Sequence, residues 1–136
     1  MVQFYVLSVL VNLLGGFLLA GEVLSKKVST SDLYNKVIKS EFYTLTFAII
    51  AGIAGIFKII SVLEGNIPVI GDLLPAVASF VLALHFFCKY LLEKKGLLEG
   101  LFGTIDLCID KFKIIIGLAC IVIAILHFLF PRALFL

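Results

Sequence analysis

The stretch Ile114-Ile-Ile-Gly-Leu-Ala-Cys-Ile-Val-Ile-Ala-Ile-Leu-His-Phe128 offers water nothing to hold except His127. A helix buried in a water-soluble bundle keeps a polar stripe at period 3.6, and this segment has no face for one. Val6–Leu14 repeats the pattern, with Ser8 and Asn12 as its only polar side chains. Extended to their flanks, these are two of four apolar runs: Val2–Leu24, Phe42–Leu63, Leu73–Leu92 and Phe112–Phe130. A hydrocarbon core about 30 Å thick takes ~20 helical residues to cross. Hydrophobic residues make up 62% of the 136-residue chain, against roughly half in soluble domains. The expectation is an all-α, polytopic membrane protein, a single integral domain of four transmembrane helices in an up-down bundle. The lipid bilayer is its first partner.

The opening run does not read as a secretory signal. A signal has a basic segment first, an apolar core of ~7–15 residues and a small-residue cleavage site. No Lys or Arg precedes Lys26, and the run continues to Leu24, so it is expected to stay as a span.

Net charge is +2, and its placement says more than its size. Lys26, Lys27, Lys36 and Lys39 lie between the first two runs, and Lys94, Lys95, Lys111 and Lys113 between the last two. The N-terminus, the link Glu64–Asp72 and the C-terminus together hold one basic side chain, Arg132. The positive-inside rule therefore places both Lys-rich loops in the cytoplasm and both termini outside it, in the inner membrane if the cell is bacterial. Tyr5, Tyr43 and Tyr90 fall where amphipathic rings favour the membrane interface. These lysines interleave with acids and lack a stacking platform, so no nucleic-acid partner is expected.

The connectors have character of their own. Ser29–Asp32 offers capping side chains ahead of Leu33, Val37, Ile38 and Phe42, which predicts a short interfacial helix. In the second Lys-rich loop Leu97, Leu98, Leu101, Phe102, Ile105, Ile109 and Phe112 line one face, with Asp106 and Asp110 on the other. That pattern predicts an amphipathic helix over about 97–111, before the fourth span. In the link Glu64–Asp72, Pro68 and Gly71 break helix while Ile67, Val69 and Ile70 stay apolar. Asn66, Pro68, Gly71, Asp72 and Pro75 thus mark a broken segment expected to be covered by protein. Asp72 is placed to cap the third span, and Pro75 suits its first turn.

Every span carries small residues at helical spacing, and in lipid such stripes let backbones approach. Asn12 and Gly16 in the first, Gly52 and Gly55 in the second and Gly117 in the fourth are the candidate packing positions. Ile49-Ile-Ala-Gly-Ile-Ala-Gly-Ile matches Ile114-Ile-Ile-Gly-Leu-Ala-Cys-Ile at five of eight positions, and Asn12-Leu-Leu resembles Asp72-Leu-Leu. Two parallel hairpin repeats would explain this, although apolar sequence also matches itself by chance.

A charge at mid-depth costs about 2.5–3.5 kcal/mol on insertion scales, so intramembrane ionisable groups are candidate sites. Glu22, Lys58, His85 and Lys89 qualify. Each also has a structural reading: Glu22 and Lys89 could pair or reach the interface, Lys58 could pair with Glu64 or Asp72, and His85 could bond a neighbouring helix. Cys88, Cys108 and Cys120 lack the spacing of a disulfide framework or zinc site. With no nucleophile–base set, paired carboxylates or phosphate loop, neither enzymatic activity nor a cofactor or metal is expected. Two functions remain. One is a non-catalytic subunit or scaffold that assembles with membrane partners or itself through small-residue faces. The other is an oligomeric transporter or channel with its pathway between subunits.

Overall fold

The computed structural model describes residues 2–25, 40–60, 73–95 and 100–130. Within them the elements are α1 (Val2–Ser25), α2 (Glu41–Ile60), α3 (Leu73–Lys95) and α4 (Leu101–Leu129). All four are long and apolar enough to cross a membrane. Their ends follow local chemistry. At the start of α2 both the backbone N–H and the hydroxyl of Thr44 donate to the Ser40 carbonyl, at 3.1 Å each. Thr104 does the same to Gly100 at the start of α4, at 3.2 and 2.8 Å. Pro75 is accommodated in the first turn of α3, where its missing N–H leaves no helical bond unmade.

The separate loop helix and fourth span merge. Leu101–Leu129 is one uninterrupted helix of 29 residues, about 44 Å long at 1.5 Å per residue. Between Thr104 and Lys113 there is neither glycine nor proline to end it, and the amphipathic pattern simply becomes its first third. The interfacial helix expected after Ser29, and the broken segment with Asn66, Pro68, Gly71 and Asp72, lie outside the described residues.

Backbone proximity organises the bundle. A Cβ built on Gly16 would stand 2.6 Å from the Gly117 carbonyl oxygen, and one on Gly117 2.7 Å from the Ala20 nitrogen. There α1 and α4 touch main chain to main chain. Gly15, about 100° round α1 from Gly16, opens the helix to Leu82 of α3 and Phe47 of α2, at 2.6 and 3.0 Å from a built Cβ. Between α2 and α3 the approach is looser, with Gly55 beneath the Phe80 ring at 3.3 Å and Gly52 beside Ala83 at 3.8 Å. At one end Phe4 stacks on Phe57 with centroids 4.2 Å apart, and Phe47 meets Phe86 edge-on at 5.0 Å. Val11, Leu19, Ala48, Ala51, Ala54, Ala78, Leu82, Phe86 and Cys120 form the core.

The helices do not share the interior equally. In the spanning windows 44% of both α1 and α3 is buried, against 33% of α2 and 22% of α4. The outward surface is large and apolar, including Ile49, Ile53, Ile115, Val122 and Phe128.

The built-Cβ distances separate two glycines by outcome. Gly117→Ala should destabilise the fold by about 1–3 kcal/mol, because the added methyl meets backbone that has nowhere to go. Gly52→Ala should stay within about 0.5 kcal/mol of the parent. Denaturation of both variants in one detergent reads this directly, and equal stability of the two would contradict the packing described.

Candidate functional site

Polar side chains gather at three levels inside the bundle. In its middle, Asn12 of α1 reaches α3: its Nδ2 donates to the Pro75 carbonyl at 3.0 Å, and its Oδ1 accepts from the Ser79 hydroxyl at 3.1 Å. The Ser79 hydroxyl also lies 2.9 Å from the Pro75 carbonyl. All three residues are fully buried. An amide in hydrocarbon must satisfy both ends, and Asn12 does so on one neighbouring helix. Ser8, one turn earlier on the same face of α1, is also buried, and its hydroxyl has no hydrogen-bond partner among the described residues.

Toward the start of α1 lies a second group drawn from three helices. Lys58 is only 3% exposed, and its Nζ sits 5.2 Å from the centroid of the Tyr5 ring, within cation–π range. The Tyr5 hydroxyl donates to the His127 carbonyl at 2.8 Å, with the Phe128 carbonyl 3.1 Å away. The Tyr5 and His127 rings lie 4.8 Å apart, tilted by 55°. A buried ammonium therefore faces an aromatic ring that is itself tied to the last turn of α4.

The third group lies toward the other end. His85 is buried on α3, and its Nδ1 is 3.3 Å from Asp106 Oδ1 on α4. That is ion-pair distance when the imidazole is protonated, but the atoms are off the alignment a hydrogen bond needs. Cys88 is wholly buried one turn beyond His85. Asp110 pairs with Lys113 along α4 at 3.5 Å.

Of the residues singled out from sequence, Lys58 and His85 are buried in different groups, so the structure does not assemble them into one site. Lys89 lies half-buried on α3. Glu22 falls within α1, but its side chain lies outside the described residues. Pro75 acts through its carbonyl as the acceptor for Asn12. Asp106, assigned to a solvated helix face, instead turns toward His85, because the continuous α4 carries it against α3. The sequence alone places Tyr5 at the membrane interface and shows His127 only as the one polar side chain of its stretch. Their meeting depends on antipodal chain positions, and no local pattern carries it.

The fold defines a class: an all-helical bundle whose four helices have the length and apolarity to span a membrane. A protein-family model matches residues 1–127, and a protein of Treponema pallidum (strain Nichols), itself described as uncharacterized, is 32% identical over 143 residues, covering 100% of both chains. The chain belongs to that family. No solved structure matches it.

If the Asn12 amide fastens α1 to α3, Asn12→Ala and Ser79→Ala should be coupled. A double-mutant cycle in detergent should give about 0.6–1.7 kcal/mol, between the mean and the maximum measured for such hydrogen bonds in a membrane protein. Strict additivity of the two losses would mean that the contact does not hold the helices.

Proposed function

We propose that this is an integral membrane protein of non-catalytic type, a small subunit or scaffold that associates with partner membrane proteins or copies of itself. The observation that carries the reading is how the middle of the bundle is filled. Asn12 gives both ends of its amide to α3, and Leu82 stands against Gly15 beneath it. A transport path through a single protomer needs several donors and acceptors exposed to a passing solute. Here the mid-bundle amide and the Ser79 hydroxyl bond helix to helix, and side chains occupy the space between.

The small residues qualify how such assembly would work. Gly16, Gly117, Ala48, Ala51 and Gly55 face inward within one protomer. Contact with partners then falls chiefly to α4, the helix its own protomer covers least.

An up-down arrangement in the bilayer is part of this reading. Phe4 meets Phe57 while Gly15 meets Phe47, as neighbouring helices of opposite direction require. Tyr5 against His127 and Gly16 against Gly117 give the same relation for α1 and α4. Together with the lysine distribution, this supports a topology with both termini outside the cytoplasm and both Lys-rich loops in it. The first third of α4, bearing Asp106, Asp110, Lys111 and Lys113, becomes an amphipathic extension at the cytoplasmic surface.

Two measurements examine the proposal. Purified in mild detergent from its own cells, the tagged protein should bring down a different membrane protein in fixed ratio, or multiples of itself. Recovery as a lone monomer would remove the assembly reading. For topology, single cysteines replacing Glu64 and Leu136 in a background without native cysteines should react with an impermeant reagent in intact cells. One replacing Lys36 should not, and the reverse pattern would invert the orientation.

A further inference from the structure

We infer that the chain is one helical hairpin built twice, α1–α2 and α3–α4, the two copies packing face to face about an axis that runs between α1 and α3. The surface each hairpin presents to the interior therefore fits a second copy of that hairpin. Where two like units meet about a twofold axis, a residue near the axis must touch its own counterpart. Asn12 bonds Ser79, and matching these two sets the register of α1 on α3. The same register matches Gly15 with Leu82, and those two also stand against each other, 2.6 Å from a built Cβ to Leu82 Cδ1. It further pairs Ser8 with Pro75, Val11 with Ala78, Leu19 with Phe86 and Gly21 with Cys88, all of them buried.

The outer helices follow. Ala48, Ala51, Gly55 and Lys58 of α2 are buried, as are Gly117, Cys120, Ala124 and His127 of α4. Ile49, Ile50, Ile53, Ile56 and Phe57 are exposed, as are Leu118, Ala119, Val122, Ile125 and Leu126. Helical period alone aligns buried positions in any two helices, so spacing cannot decide the matter. Contacts between helices can. Gly16 meets Ile121, 2.9 Å from a built Cβ, and their counterparts Ala83 and Gly52 meet at 3.8 Å. Gly55 lies on Phe80 at 3.3 Å, and the counterparts Ala124 and Leu13 line one groove together. The burial of the spans agrees, with α1 and α3 central and α2 and α4 flanking.

The register differs from the one the amino-acid match suggested. Ile49 corresponds to Leu118 rather than Ile114, one helical turn away, and Asn12 corresponds to Ser79 rather than Asp72. The matched letters arose from apolar composition, whereas the duplication lies in which positions touch. One departure is instructive: the counterpart of His85 is Leu18, so the His85–Asp106 contact belongs to the second hairpin alone. The inference is independent of whether the protein acts as a subunit or in transport.

Exchange of counterparts tests it. N12S removes the amide, and S79N sets two amides against each other, so each should lower the melting temperature in detergent. The exchange N12S/S79N puts the amide on α3, aimed at the Ser8 carbonyl that corresponds to the Pro75 carbonyl. It should recover most of the loss. An exchange variant no more stable than the weaker single variant overturns the inference. A second readout uses cysteine pairs with Cys88, Cys108 and Cys120 replaced by Ala. L13C/A124C and F80C/G55C should cross-link to similar extents in membranes, and cross-linking of one pair without the other also overturns it.

Discussion

The place where α1 and α4 come closest sets the terms for the whole bundle. Helices in hydrocarbon gain little by hiding apolar surface from one another, because lipid tails are as apolar as leucine. What remains is dispersion between closely fitted atoms, and that falls away within an ångström of separation. Gly16 and Gly117 let two backbones reach contact, with no room at either position even for a methyl group. The bulky residues are displaced outward, onto the exposed surface of the bundle. This fits a surface rich in exposed Ile, Leu and Phe around an interior where Ala, Gly, Ser and Cys pack among Val11, Leu19, Leu82 and Phe86.

Polar groups complement that packing where it is weakest. Between α1 and α3 there is no glycine-to-glycine seam, since Leu82 fills the space left by Gly15. The Asn12 amide supplies direction there, bonding one carbonyl and one hydroxyl of α3. At the level of Lys58, the Tyr5 ring takes the ammonium on its face while its hydroxyl holds the final turn of α4. A single residue of α1 thus links three helices. Close approach sets how near the helices stand, and these contacts set their register.

How much of this could be read from the chain depends on the range of each signal. Span number and approximate limits follow from local hydropathy, which needs no partner, and so they were legible. The packing role of Gly16 and Gly117 was legible as residue type, but not as a pair, because nothing local says that α1 meets α4. Asn12 looked like one more small polar residue in a stripe; its partner stands on α3, across an intervening helix. The loop helix expected over about 97–111 is continuous with the fourth span for a different reason. Amphipathic and wholly apolar sequence can share one helix, since hydrogen bonding within the backbone continues whatever the side chains face.

That continuity gives α4 its particular place. At about 44 Å the helix is longer than a hydrocarbon core of about 30 Å, and its amino-terminal end carries Thr104, Asp106 and Asp110. A hinge before Phe112 would leave those residues on a loop, free to turn to solvent. The rigid rod instead carries Asp106 to the level of His85 and holds a carboxylate within 3.3 Å of a buried imidazole. The unbroken helix thus sets which acid faces His85, and the contact lies between α3 and α4.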